Sequence, residues 1–228
     1  MKFHPRNIRD RWRSKRPYYH RSERNWHKHP SPDLGEIAHS VLLIGDMGAP
    51  ALEKSDAILT LVEQQMRLVE RNTTVIFLGD NVYPRGLPPE GHSLRQLSEQ
   101  RLNVQLDIFK DFDGHVHFIS GNHDWNKGRS DGYAYLLRQE EYIEHYLKRP
   151  DVYLPDNGCP GPTLIDLTDN VLLIVINTQW WVQRGIRPAG KSYRCQARSE
   201  DDFLRLLNQA FEENKHREIL VVGHHPLY

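Results

Sequence analysis

Apolar and polar positions along this chain follow two periods. Short unbroken apolar runs bounded by Gly, Pro or Asn read as buried strands: HSVLLIGD (39–46), TTVIFLGD (73–80), HVHFISGN (115–122), NVLLIVIN (170–177) and EILVVGHH (218–225). A shorter run, TLIDL (163–167), precedes NVLLIVIN and predicts a hairpin turning at Thr168–Asn170. Helical spacing fills the gaps at 51–70, 93–112, 131–149 and 199–215. In the first of these, Ile58, Val62, Met66 and Val69 form one stripe and Pro50 suits the first turn. The last opens on a Ser/Asp signature for a helix N-terminus. Asp46 and Asp80 lie 34 residues apart, close to the roughly 30 of a βαβ unit, which predicts parallel strands.

The 228 residues suffice for one sizeable core, and strands alternating with helices make an α/β domain the default. No apolar run approaches the roughly 18 residues of a membrane span, and the N-terminus lacks the apolar stretch of a signal peptide. A net charge of zero conceals an asymmetry. Residues 1–30 carry ten of the thirty Lys/Arg and two of the thirty Asp/Glu, so an arm of +8 precedes a body of −8. The expected division is a basic, poorly ordered arm over 1–36 and a folded domain over 37–228. The arm is read as a solvated leader or as a contact for an anionic surface, with no specific nucleic acid as partner. Cys159 and Cys195 form no C-x-x-C pair, and a disulfide and two free thiols both remain open.

The chemistry gathers at the strand ends. Four apolar runs finish in Gly followed by a side chain able to ligate a metal: Asp46, Asp80, Asn122 and His224. Gly permits the sharp turn beyond a strand, and open α/β sheets bind ligands outside the carboxyl ends of their strands. One strand-Gly-Asp is ordinarily a helix cap; four together predict a shared site. Two carboxylates with amide and imidazole suit a pair of first-row ions. Such a pair, about 3.5–4 Å apart, clamps the oxygens of a phosphoryl transfer and lowers the pKa of bound water toward about 7, which supplies hydroxide.

GDMG (45–48), GDNVY (79–83), GNHD (121–124) and V-x-x-H (Val221 to His224) resemble four of the five motif blocks of calcineurin-like metallophosphoesterases, over residues 39 to 226. They are similar in particular to the purple acid phosphatase branch. The resemblance implies a four-layer α/β/β/α sandwich, a dinuclear centre of Fe plus Zn, Mn or Fe, and hydrolysis of phosphate esters, phosphomonoesters first. The substrate would be a phosphorylated small molecule or protein.

By this resemblance Asp46, Asp80 and Tyr83 bind the first metal, and the bridging Asp80 with Asn122 and His224 binds the second. Much of the superfamily has a His where this chain has Gly48. Tyr83 stands where the purple branch supplies a tyrosinate, although a rim aromatic is the plainer alternative. His123 would be the general acid, its unperturbed pKa of about 6.5 suiting that work, and Asp124 would orient it. His225 is a substrate contact or a bystander.

The fifth block, G-H-x-H, has two matches in kind. His115–Val116–His117 follows Gly114 at the start of the third strand, about 16 Å of strand before Asn122 at roughly 3.3 Å per residue. His27–Lys28–His29 sits on the arm. Neither is expected to ligate. The chain therefore reads as a domain lacking its C-terminal portion, with an incomplete second sheet; the alternative to an enzyme is an impaired or non-catalytic metal-binding module. GCPGP (158–162) and NTQWW (177–181) are similar to stretches of exported bacterial relatives, which leaves the compartment open. Trp180 and Trp181 either line the substrate entrance or cover a core edge.

Overall fold

The structure, a computed structural model, describes residues 37–226 apart from 54, 70 and 71. The basic arm and the His27–His29 pair lie outside the described residues. Strands β1 (Ser40–Ile44), β2 (Thr73–Phe77), β3 (His115–Ile119) and β4 (Tyr153–Leu154) form a parallel sheet in that order. A second sheet has the order β5 (Thr163–Thr168), β6 (Val171–Val175), β7 (Glu218–Val222), with β5 antiparallel and β7 parallel to β6. The helices are α1 (Ala57–Val69), α2 (Arg95–Leu106), α3 (Gly132–Leu147), the short α4 (Thr178–Val182) and α5 (Glu200–Glu213).

Alternation of side chains along each strand sorts the core into layers. Val75 and Phe77 of β2, with Val116 and Phe118 of β3, pack against Leu59 and Val62 of α1, Leu102 and Leu106 of α2, and Leu136 of α3. Their neighbours Ile76 and Ile119 turn the other way and, with Leu154, meet Leu173, Val175 and Val222 of the second sheet. Leu172 and Ile174 then face Phe203 and Ala210 of α5. The architecture is helices, sheet, sheet, helix, the expected four-layer sandwich. Each fully buried aliphatic at the inter-sheet layer contributes about 1.5–3 kcal/mol, which keeps the sheets docked face to face beneath the rim that matters below.

Two local expectations are corrected. The first helix begins at Ala57 and not after Pro50, because the Asp56 carboxylate accepts the N–H groups of Ile58 and Leu59 and caps it there. Its buried stripe is Leu59, Val62 and Met66, whereas Ile58 is half exposed; the apolar periodicity fits either register, and packing chooses the one nearer the sheet. The hairpin, the parallel β1–β2 pair and the Ser199 cap, whose side chain accepts from Asp202 N–H, match the reading from sequence.

Cys159 and Cys195 are joined in a disulfide with a Cα–Cα distance of 5.5 Å. Trp180 is fully buried, donating to Pro188 O, and Trp181 packs on Phe203, so this pair covers a core edge. Among the described residues no helix is long and apolar enough to cross a membrane.

Candidate metal centre

Because β1, β2 and β3 run parallel, the loops that follow them open on one rim, and the loop after β7 reaches the same rim from the second sheet. Asp46 and Asp80 both sit in the left-handed backbone region, at φ 59° and 54°. For a non-glycine residue this costs roughly 1–2 kcal/mol, and such strain gathers at functional sites. The Asp46 carboxylate reaches Tyr83 in the loop after β2, and the Asp80 carboxylate reaches His123 N–H in the loop after β3.

The first pole holds Asp46 and Tyr83. The Tyr83 hydroxyl donates to Asp46 Oδ1 at 2.8 Å, and Tyr83 N–H donates to Gly48 O at 2.8 Å. Gly48 is sealed by that crossing: a Cβ there would lie 2.5 Å from Asp80 O and 2.6 Å from Tyr83 N. A histidine therefore has no room where much of the superfamily places one, and the phenol occupies that side of the cluster. Burial, the hydrogen bond to Asp46, and the charges of Asp80 and Asp46 push the Tyr83 phenol above its usual range. A cation nearby would reverse that direction.

The second pole holds Asn122 and His224. His224 Nδ1 lies 2.8 Å from Leu78 O; a carbonyl can only accept, so Nδ1 carries the hydrogen. Its Nε2 faces Asn122 Oδ1 at 3.2 Å and Asp80 Oδ1 at 3.5 Å. A nitrogen lone pair turned toward two oxygens is favourable only with a second proton or a cation between them. A backbone carbonyl fixing the far ring nitrogen is the usual support of a metal-binding imidazole.

Asp80 stands between the poles. It is 4% exposed, and its charge acts on the Tyr83 phenol. Oδ1 accepts His123 N–H at 2.9 Å, while Oδ2 lies 3.8 Å from His123 Nε2. Gly121 makes this approach possible, since a Cβ there would strike the Asp80 carboxylate and come within 2.7 Å of His224 Cε1. All five expected ligands thus share one cluster. Among the described residues no three His, Cys, Asp or Glu side chains are placed to hold one ion. Each pole brings two residues of those types and completes its set with Tyr83 or Asn122. The donor set of carboxylates, phenol, amide and imidazole fits hard and borderline first-row ions.

The expected dyad is corrected. Asp124 does not orient His123, whose Nδ1–H is held by Pro84 O at 2.7 Å and whose ring stands edge-on to Tyr83. Asp124 is fully buried and accepts from Gly121 N, Asn81 N, Val82 N, Asn81 Nδ2 and Gln139 Nε2, tying the loop after β2 to the loop after β3. Burial pushes its carboxyl up to about 7, with the Gly121 and Gln139 hydrogen bonds pulling the other way. His225 is held by Thr178, a residue that sequence reasoning missed. Leu78 O and Pro84 O were missed as well, and main-chain carbonyls leave no signature in a sequence. His115 and His117 begin β3, at the far end from Asn122.

A four-layer sandwich with oxygen and nitrogen donors gathered from the ends of both sheets defines a class of metal-dependent hydrolases. The comparison with protein families agrees: the model for calcineurin-like phosphoesterases matches residues 39–228. The chain belongs to that family, whose members bind two divalent metals and act on phosphoester bonds. No curated protein matches the chain.

Proposed function

We infer that this protein hydrolyses phosphomonoesters at a dinuclear centre of the purple acid phosphatase type, with Fe at the first pole and Zn, Mn or Fe at the second. The observation that carries this reading is the inward-facing lone pair of His224 Nε2, opposed to Asn122 Oδ1 and Asp80 Oδ1 while Leu78 O holds the other nitrogen. Asp46 and Tyr83 would hold one ion, Asn122 and His224 the other, and Asp80 both. Bound there, the ions supply Lewis-acid charge and a nucleophile at neutral pH.

The chain's own residues do the rest. With Nδ1–H fixed on Pro84 O, His123 exchanges its second proton at Nε2, the nitrogen on the Asp80 side. From there it protonates the leaving alkoxide, the role of a general acid. His225 contacts the phosphoryl oxygens. Asp124 keeps the two ligand loops in register and Gln139 ties them to α3.

The test is metal content and turnover of an aryl phosphate in the metal-loaded protein and in Asp80→Ala. The reading expects two ions per chain and hydrolysis in the first, and loss of both in the second. A visible charge-transfer band that disappears in Tyr83→Phe would identify the phenolate ligand. Full metal content with no hydrolysis of any phosphoester would overturn the reading.

A further inference from the structure

The two adjacent histidines after β7 are held by different kinds of partner. His224 Nδ1 meets a carbonyl, Leu78 O, and must donate. His225 Nδ1 meets a hydroxyl, Thr178 Oγ1, at 2.9 Å, and the same oxygen accepts the His225 backbone N–H at 2.9 Å. Thr178 has one hydrogen to give, and among the described residues its hydroxyl has no other acceptor than His225 Nδ1. Donation to Nδ1 uses that hydrogen and leaves His225 its ring hydrogen on Nε2, whereas Nδ1–H into the second Oγ1 lone pair would leave the hydroxyl hydrogen without an acceptor. The rings stand edge-to-face, with centroids 4.8 Å apart. One offers a lone pair from Nε2 and its neighbour offers an N–H from the same atom.

We propose that Thr178 is a positioning residue that locks His225 in the Nε2–H tautomer, making it a neutral hydrogen-bond donor to a phosphate oxygen beside the metal-facing His224. The role of the phosphate rests on the phosphoesterase reading above; the tautomer assignment does not. Thr178 suits the task because it is 7% exposed, so water does not compete for its hydroxyl. Its methyl lies beside Gly223, where an added Cβ would come within 2.7 Å of it. A valine at this position keeps the shape and removes both the donor and the acceptor. A serine restores them.

The experiment uses the whole chain labelled with ¹⁵N, with ring nitrogens read by long-range proton–nitrogen correlation at pH 8, where unperturbed imidazoles are neutral. The expected pattern is a pyrrole-type Nδ1 for His224, held on Leu78 O, and a pyridine-type Nδ1 with a pyrrole-type Nε2 for His225. In Thr178→Val the His225 nitrogens should move toward tautomer averaging while those of His224 stay. Thr178→Ser should return the wild-type pattern, a recovery that a merely structural effect would not produce. Inorganic phosphate, titrated into the metal-loaded protein, should bind about five-fold more weakly to Thr178→Val than to wild type, the scale of one lost hydrogen bond. Nδ1–H on His225 in the wild type, or unchanged His225 nitrogens in Thr178→Val, overturns the proposal. The expected nitrogens with no phosphate binding would support the Thr178 assignment and count against the phosphoesterase reading alone.

Discussion

Gly45 and Gly121 occupy equivalent places in the sequence, each between an apolar strand and an expected ligand, yet they meet different surroundings. A Cβ on Gly45 would have nothing within 4 Å. A Cβ on Gly121 would meet the Asp80 carboxylate, Asp80 N at 2.5 Å and His224 Cε1 at 2.7 Å. Ordinary carbon contacts lie near 3.5–4.0 Å, so Gly121→Ala forces an opening of about 1 Å between the loop after β2 and the loops after β3 and β7. One of the obstructing atoms is backbone, and no rotamer change relieves it. Overpacking of this kind costs about 1–3 kcal/mol, whereas Gly45→Ala should lie within about 0.5 kcal/mol of wild type. Urea unfolding of the three proteins without metal gives the stabilities, and elemental analysis after loading gives metal content. Gly121→Ala should lose stability and metal together, and Gly45→Ala neither. Equal effects of the two substitutions would refute the argument that close approach, and not turn conformation, makes Gly121 necessary.

Glu140 of α3 is 7% exposed, and burial pushes its carboxyl from 4.5 up to about 8, against the hydrogen bond that Oε1 accepts from Asn157 N. A folded-state pKa raised above the unfolded one gives stability that is present below about pH 4.5 and lost as pH rises through about 8. Glu140→Gln keeps the acceptor and removes the titration, so its urea midpoint should gain on wild type between pH 5 and pH 8.5; parallel curves would contradict this. The Cys159–Cys195 disulfide closes 36 residues, and its reduction should cost about 3–4 kcal/mol by the loop-entropy relation. Thermal unfolding with and without reductant measures the loss, and an unchanged midpoint would show that the bridge does not constrain the unfolded chain.

The elements legible in the sequence were those whose apolar pattern is long enough to repeat. β4 spans two residues, Tyr153–Leu154, and α4 five, Thr178–Val182; neither offers a period to detect. The register of α1 was ambiguous for a related reason, since Ile58 and Leu59 are both apolar and only the sheet beneath decides which is buried. At the site, the side chains able to bear chemistry could be read from residue type and position after a strand, and they do meet. Their supports could not. Pro84 O, Leu78 O and Thr178 Oγ1 lie 39, 146 and 47 residues from the histidines they hold. Asp124 was misassigned because its neighbour His123 is adjacent in sequence, while four of its five donors come from the loop after β2 and from α3, which the fold alone brings close.

The cluster draws Asp46, Asp80 and Asn122 from the parallel sheet and His224 and His225 from the second, so neither sheet owns the site. Two kinds of interaction hold the halves at the rim. Ile76, Ile119 and Leu154 meet Leu173, Val175 and Val222 without direction. His224 on Leu78 O, and Ser120 Oγ on Asn177 Oδ1, then fix the remaining freedom by hydrogen bonds that cross from sheet to sheet. Apolar packing alone would tolerate a slide of an ångström; these bonds do not, because each loses its geometry within that distance. The imidazole that faces the carboxylates is thus placed by the same contacts that lock the sandwich. An ion that binds only when both sheets supply its donors must in turn favour the docked state, by about 2.7 kcal/mol at a hundredfold excess over its dissociation constant. Sheet docking and the donor geometry of the rim are two descriptions of one equilibrium.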